Sequence, residues 1–318
     1  MAVPTNTSQA HNVKTLKEDI SDTVDKVSPT ETPFYSAVGK GTAKQIYHEW
    51  TQVELDAASD SNEVVDGADP DTDAANNGVR LANYTQLSDK VAQVSSSTEA
   101  SEGVGDIHTI AQQVILKGQA LKRDMEKQML SNKAASPGSD STPRRSASLI
   151  SFLRTNASRG TGGAAPTLSG TSTGYPNAAP TDGTQRTFTE ALFKAVLQSI
   201  WTNGGNAKLA FMGATQKQTA STFTGNATRY KEAEDKKLVA AVDVYVSDFG
   251  QVQLVPSRHI RPRDVVIVDP KMVSVDFLQK MNQKPLAKTG HSEKRMVAVE
   301  YTLKVRNELA HGHVADLS

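Results

Sequence analysis

The sequence predicts an α+β chain of two lobes, with an arm at its start and one long excursion from the body. Three observations carry this: a long helical periodicity near residues 105–134, alternating strands in the last sixty residues, and a purely acidic stretch between two strands. At 318 residues the chain exceeds the roughly 250–300 at which a single core stops growing, so two lobes are the default. Hydrophobic residues are 37% and aromatics 5%, below the roughly 45–50% apolar share of compact domains, so part of the chain should lie outside a core.

Residues 1–45 read as an arm. A polar start leads to a short amphipathic stretch (Leu16, Ile20, Val24, Val27), which Pro29 and Pro33 terminate by removing amide donors and restricting the residues before them. Two strands of about ten residues follow, at 43–53 and 83–97, each reaching roughly 33 Å. Between them, residues 51–79 hold eight acidic residues (Glu54, Asp56, Asp60, Glu63, Asp66, Asp69, Asp71, Asp73) and no Lys or Arg. A segment so poor in apolar residues cannot bury itself, and should extend from the body.

Apolar or small residues at Ile107, Ile110, Val114, Gly118, Leu121, Met125 and Met129 fall at spacings of three and four, which places them on one helical face. A helix over 105–134 would be roughly 45 Å long. Gly118 costs about 1 kcal/mol relative to Ala in a helix, so its presence suggests a close packing contact. Residues 135–187 are rich in Gly, Ser, Thr and Pro and read as surface loop, followed by a capping box at Thr187-Phe188-Thr189-Glu190. That box opens a helix with Leu192, Phe193, Val196, Leu197, Ile200 and Trp201 on its apolar side, ended by Asn203-Gly204-Gly205. KLAFMG should be a buried strand, and KLVAAVDVYV and QVQLVPS a hairpin about SDFG. DVVIVDP, MVSVDFL and MVAVEYTLKVRN complete the strands. In the last, Val297, Val299, Tyr301, Leu303 and Val305 alternate with Ala298, Glu300, Thr302, Lys304 and Arg306, the pattern of a half-buried strand.

Residues that could carry chemistry do not assemble into a known site. Counting Asp69 as position 1 of a calcium loop puts Ala74 at the position requiring Gly and Arg80 at the position requiring Glu. His311 and His313 lack a third ligand nearby and read as a surface pair, while His48 and His108 read as packing or capping residues. GKGTAK (39–44) and RGTGG (159–163) miss the phosphate-loop spacing. With no cysteine, disulfides, thiolate catalysis and Cys-based metal sites are excluded, and the chain suits a reducing cytoplasm. No segment approaches the roughly 18 apolar residues of a membrane span, and the N-terminus lacks a signal-like apolar run, so a soluble, non-exported, non-enzymatic protein without cofactor or metal is expected.

Charge placement says more. The 35 basic and 35 acidic residues cancel, yet against the acidic 51–79 stretch residues 256–308 carry eleven basic residues and six acidic ones. Opposite patches on a neutral chain suit head-to-tail self-association. The expected intersubunit contact joins Asp66, Asp69, Asp71 and Asp73 to Arg258, Arg261 and Arg263 of another copy.

The order of arm, two-stranded excursion, long helix, Gly-rich lobe and terminal strands resembles the major capsid proteins of tailed bacteriophages, whose fold is the Hong Kong ninety-seven type. SPTETPFYSAVGKGTAKQIYHEW (28–50) resembles the N-terminal signature of the group typified by phage SU-ten. The resemblance implies an N-terminal arm (1–45), an extended loop (46–97), a peripheral domain with the spine helix (98–142), an axial domain (143–255) and the peripheral-domain strands (256–318). It implies a structural protein that assembles in the host cytoplasm as hexamers and pentamers into an icosahedral virion capsid around double-stranded DNA, without base-specific binding. Scaffolding, portal and decoration proteins are the implied partners, and no membrane. Some members carry a long N-terminal scaffolding segment removed by a protease; an arm beginning at Met1 leaves no room for one, so a separate scaffolding protein is expected. An encapsulin-like compartment shares the fold and is the alternative.

Chain mail of the type phage uses a lysine in the extended loop, and here no lysine lies between Lys44 and Lys90. Particles boiled in detergent should therefore run as a single monomer band on a gel. A ladder resistant to boiling and reductant would mean that another lysine cross-links.

Overall fold

The computed structural model describes residues 30–55, 58–67, 69, 75–101, 108–223 and 244–318. The amphipathic stretch at Leu16, Ile20, Val24 and Val27 lies outside the described residues, as do Asp56, Asp71, Asp73, Ile107 and the 237–243 part of the expected hairpin.

In chain order the elements are α1 (Pro33–Ala37), β1 (Gly39–Thr42), β2 (Tyr47–Gln52), β3 (Val79–Tyr84), β4 (Gln86–Ser95), α2 (Ser96–Ala100) and α3 (Ile110–Met129). The Gly-rich stretch contributes the short strands β5 (Ala157–Ser158), β6 (Thr167–Leu168) and β7 (Pro176–Ala178). Then come α4 (Glu190–Thr202), β8 (Leu209–Met212), α5 (Ala214–Ala220), β9 (Val244–Ser247), β10 (Gly250–Pro256), β11 (Val265–Val268), β12 (Val273–Pro285), β13 (Ser292–Val305) and β14 (Gly312–Val314).

Two sheets organise the described residues. A four-stranded sheet runs β1-β12-β13-β4, and a six-stranded sheet runs β5-β14-β11-β8-β10-β9. The six-stranded sheet is the middle layer, because its central strands are apolar on both faces. In β11, Val265 and Ile267 join the core beneath α4 with Phe193, Val196, Leu197 and Ile200. Val266 and Val268 point the other way, into the core that holds Leu121, Met125 and Met129 of α3. β8 repeats the division, with Ala210 and Met212 on the α4 side and Phe211 on the α3 side. A run without polar alternation is what a strand covered on both faces requires. Residues 256–318 serve both sheets, giving β11 and β14 to one and β12 and β13 to the other.

The long helix is shorter than its periodicity suggests, twenty residues or roughly 30 Å. Its start is fixed by capping: Thr109 accepts the Gln112 amide at 3.3 Å and Glu99 Oε2 accepts the Ile110 amide at 2.9 Å. Leu121, Met125 and Met129 are buried as expected and Val114 is partly buried against the same core. Gly118 is a correction. A Cβ built there meets nothing within 4 Å, so no close contact among the described residues explains the glycine.

β13 is buried on both faces over its second half, not on one. Val299, Tyr301, Leu303 and Val305 enter the core, but Glu300 and Thr302 are buried as well. Glu300 accepts the Thr85 hydroxyl at 2.8 Å and pairs with Arg144 at 2.5 Å, so the polar face is covered by hydrogen-bonding partners. The expected capping box at Thr187 is also corrected. The helix begins at Glu190 with Thr189 as N-cap, and Glu190 instead accepts the Tyr245 hydroxyl at 2.9 Å and pairs with Lys194 at 2.9 Å. GKGTAK forms no loop: its first four residues are β1, a parallel edge strand on β12.

The described part of the arm is held to α3 by one buried carboxylate. Glu126 Oε1 accepts the Phe34 amide at 2.9 Å and Oε2 the Tyr35 amide at 2.7 Å, satisfying donors that the short helix α1 leaves open. At the other end of α1, Lys40 Nζ donates to the Tyr35 and Val38 carbonyls. Phe34, fully buried, meets Phe211 edge-on at 5.4 Å.

Burial pushes the Glu126 carboxyl from its ordinary 4.5 up to about 6, against the pull of the two amides and Lys40. A folded value above the unfolded one means that the native chain takes up a proton between pH 6 and 4.5 that the unfolded chain does not. This group therefore favours the fold more as pH falls through that window, by on the order of 2 kcal/mol. Urea unfolding of wild type and Glu126→Gln at pH 7 and pH 5 should show wild type gaining on the variant at the lower pH. An unchanged difference would mean that the carboxyl titrates normally.

Candidate functional site

The excursion begins as a ribbon. β2 and β3 pair from Tyr47↔Tyr84 to Gln52↔Val79, six residues each where about ten were expected. The rest of the second expected strand is β4, which leaves the ribbon to pair with β13. Asn83 makes this junction rigid: its Nδ2 donates to the Leu303 carbonyl at 2.8 Å and Ser146 Oγ at 3.1 Å, and its Oδ1 accepts the Ala147 amide at 2.9 Å. Trp50 and Leu81 bury the base of the ribbon, Trp50 lying 6.1 Å from the Phe152 ring. Gly78, at φ +70°, closes the ribbon where a Cβ would stand 2.9 Å from the Gln52 carbonyl.

Beyond the ribbon the described residues are in water. Leu55 is 96% exposed, Val65 79% and Val64 71%. Asp66 and Asp69 are exposed too, and Asp71 and Asp73 lie outside the described residues. A cleft of about 340 Å³ opens between the ribbon's end and the body, lined in part by Gln52, Glu54, Val79, Phe152, Arg154 and Glu308.

The three arginines share a turn but not an environment. Arg258 is exposed. Arg261 pairs with Asp182 at 2.6 Å and Asp264 at 3.2 Å. Arg263 pairs with Asp182 at 3.3 Å and Asp316 at 2.8 Å, and donates to the Gly183 carbonyl at 2.8 Å. Among the described residues no ion pair joins Asp66 or Asp69 to any of the three within one chain.

Asp316 is the centre that sequence reasoning missed. It is 1% exposed, and its carboxylate accepts the Gly160 amide at 2.9 Å, the Gly183 amide at 2.8 Å and Arg263. Its backbone sits at φ +60°, and its carbonyl accepts the Arg186 amide at 2.7 Å. Although burial works in the opposite direction, the two amides and Arg263 hold its carboxyl below the ordinary range. RGTGG thus supplies an amide to an anion, as its likeness to a phosphate loop suggests, but the anion belongs to the chain. A Cβ on Gly160 would stand 2.1 Å from the Thr184 carbonyl, so only glycine fits.

His311 and His313, read as a surface pair, are both buried. His313 Nε2 lies 3.0 Å from Asp264 Oδ1, and His311 Nδ1 accepts the Asp269 amide at 3.2 Å. β14, which begins just after His311, belongs to a sheet covered on both faces, and all three of its residues are buried. Burial pushes His311 down to about 4. His48 meets Asp276 at 3.0 Å, and Ser274 Oγ donates to the same carboxylate at 2.7 Å. Among the described residues no three His, Asp or Glu side chains are grouped to hold a metal ion.

Three comparisons bear on this arrangement. The family model described as SU10 major capsid protein matches residues 3–318. A major capsid protein of Escherichia phage Phieco32 is 26% identical over 330 aligned positions, covering 93% of each chain. Among solved structures, the capsid of a native GTA particle superposes with TM-score 0.64 at 11% identity, covering 97% of this chain and 98% of that one. The capsid of Cyanophage A-1(L) gives 0.61 at 13% identity over 95% and 97%. A structure of Phage G major capsid and decoration proteins gives 0.54 at 11% over the full length of both chains.

Replacing Asp316 with Ala should cost roughly 1–3 kcal/mol at pH 7, because two part-buried amides lose their acceptor and Arg263 loses one of its partners. Since its folded value is depressed, wild type keeps this advantage above the unfolded value, near 3.8, and loses it as pH falls through the folded one. Denaturant titrations at pH 7 and pH 3 should show the gap narrowing in acid. A variant as stable as wild type at pH 7 would remove Asp316 from the centre of this network.

Proposed function

The chain belongs to the SU10 major capsid protein family, and from that premise we propose that it assembles as hexamers and pentamers into an icosahedral shell enclosing the double-stranded DNA of a tailed bacteriophage. The carrying observation is the family match over nearly the whole chain. The fold is the Hong Kong ninety-seven type found in tailed-phage capsid proteins. This is a structural family, not an enzyme class.

Geometry supports the reading in two ways. Aliphatic side chains on a projecting loop, such as Leu55, Val64 and Val65, are unfavourable in water and gain from a neighbour's surface. The described arm needs the body of the protein to satisfy α1, since five residues cannot hold a helix alone. We assign residues 1–45 to the arm, 46–97 to the extended loop, 98–142 and 256–318 to a peripheral domain, and 143–255 to an axial domain. The loop, with Asp66, Asp69, Asp71 and Asp73, lies over a neighbouring copy. Arg261 and Arg263 are already neutralised by Asp182, Asp264 and Asp316, and so offer a neighbour less charge than Arg258. A scaffolding protein, a portal and a decoration protein complete the particle, which forms in the host cytoplasm.

Sedimentation and negative-stain microscopy of the purified protein, with and without a crowding agent, should show capsomers, sheets, tubes or particles. A compact monomer at every concentration would overturn the shell. In the quadruple variant Asp66→Asn, Asp69→Asn, Asp71→Asn, Asp73→Asn, circular dichroism and melting should stay near wild type while particle yield falls and salt sensitivity rises. Each exposed ion pair contributes only about 0.2–1 kcal/mol, but a shell repeats it in every subunit. Normal assembly of the variant at all salt concentrations would make the loop a solvated projection.

A further inference from the structure

One face of the four-stranded sheet lies open to water among the described residues. α3 covers the other: Ala92 and Val94 of β4 pack with Ile110, and Lys90 pairs with Asp124 at 2.6 Å. Residues paired across an antiparallel ladder share a face, so the pairs Leu87↔Glu300, Val91↔Met296 and Met296↔Lys284 gather on the open side. Leu286, whose amide donates to the Lys294 carbonyl at 3.0 Å, continues that ladder to its outer end. Leu87 is 60% exposed, Val91 42% and Leu286 36%, three aliphatic side chains in water on one surface. The same end is cationic. Residues 279–295 hold five Lys or Arg and one acid, Glu293, which Arg295 occupies at 2.8 Å. Lys294 Nζ donates to Thr289 Oγ1 at 2.9 Å, while Lys280, Lys284 and Lys288 are exposed with no carboxylate partner among the described residues. Beside them the open face carries Asp89, exposed, and Glu300, which Arg144 neutralises. The chain's own excursion starts from the other end of the sheet. Gln52, Glu54 and Val79 line one cleft with Val305, the last residue of β13, whereas the hairpin turns beside Ser292, its first. Fourteen residues of strand put these ends roughly 45 Å apart.

Resting on the shell reading above and deepening its loop contact, we infer that this open face receives the acidic excursion of a second copy. Leu55, Val64 and Val65 of that copy lie against Leu87, Val91, Met296 and Leu286, with Glu63 and Asp66 beside Lys284 and Lys288. Two independent properties match: residues 51–79 hold eight acids and no base, and their exposed aliphatics need an apolar surface. Arg258 supplies a single charge against eight acids, so the arginine turn alone does not balance the excursion. Duplex DNA is the other anion in the particle. Phosphate suits the lysines but offers Leu87 and Val91 no apolar partner. Because the excursion and the face that receives it stand at opposite ends of β13, the contact is head-to-tail, the kind that closes rings or extends a lattice.

The test is assembly of the purified full-length protein, read by sedimentation and negative-stain microscopy over series of protein and salt concentration. It compares wild type, the basic-side variant Lys284→Glu, Lys288→Glu, the acid-side variant Glu63→Lys, Asp66→Lys, and the two combined. Each exposed ion pair is worth about 1.4- to 5-fold in association, so each double variant should need on the order of tenfold more protein to form particles. The combined variant should return toward wild type. Leu87→Ser, Val91→Ser should weaken assembly with little change in salt dependence. All these positions are exposed, and circular dichroism checks that each variant folds. If a charge variant folds poorly, cross-linking serves, since the chain has no cysteine. Copies carrying Val65→Cys mixed with copies carrying Val91→Cys, assembled and treated with a short bismaleimide, should give a dimer band far stronger than either gives alone. The inference is overturned if the basic-side variant assembles as wild type does, if the combined variant shows no recovery, or if the cysteine mixture gives no extra dimer. It is also overturned if Arg258→Glu, and not the lysine variant, rescues the acid-side variant. Normal assembly of the basic-side variant with lost binding to a short random-sequence duplex, by fluorescence anisotropy, would give the face to phosphate instead. Absence of wild-type particles defeats the shell reading, whereas particles from every variant defeat only this assignment.

Discussion

The two hydrogen bonds from the Phe34 and Tyr35 amides to the Glu126 carboxylate are the constraint on which the arrangement of the chain's first described third depends. They fix α1 against α3, and so place Phe34 where it closes the core between α3 and the six-stranded sheet. They also deliver β1 to the edge of β12 in parallel register. The carboxylate is charged and buried at neutral pH, an expensive state that its paired amides and Lys40 only partly offset. An apolar residue at 126 would avoid that cost but would leave two helix-end amides in the interior without acceptors.

A second constraint operates at the other end of the sequence. The six-stranded sheet is covered on both faces, so polar groups at its margin depend largely on partners inside the protein. Asp316, Asp182 and Asp264 provide these through Arg261, Arg263, His313 and the Gly160 and Gly183 amides. The Gly-rich stretch is ordered by that network and by short ladders such as β6 with β7, not by a core of its own.

Much of the fold was legible in the sequence because periodicity reports burial. Leu121, Met125 and Met129, the α4 stripe, KLAFMG and the strands of the last sixty residues formed where expected, since each is a local pattern answering to a nearby core; Trp201, expected on the apolar side of α4, is instead 59% exposed. What misled was whatever depends on distant partners. The acidic excursion's second strand divides at Thr85 because β13, more than two hundred residues later, captures Gln86–Ser95. Glu300 and Thr302 looked solvent-facing until Thr85 and Arg144 covered them. His311 and His313 read as surface because three residues of strand give no periodicity to count. The charge separation was visible in composition, but which arginines were already neutralised was not, because Asp182 and Asp316 lie far from them in sequence.

The position of β14 has a consequence for synthesis. It lies between β5 and β11, and among the described residues β1 and β4 pair with β12 and β13, from residues 273–305. A polypeptide emerging from the ribosome therefore cannot close either large sheet until β12, β13 and β14 have been translated. Contacts this non-local make folding a late and comparatively slow event. Chains that stop before β14 leave the six-stranded sheet without its inner strand, so completion of the fold itself reports that this region has been synthesised.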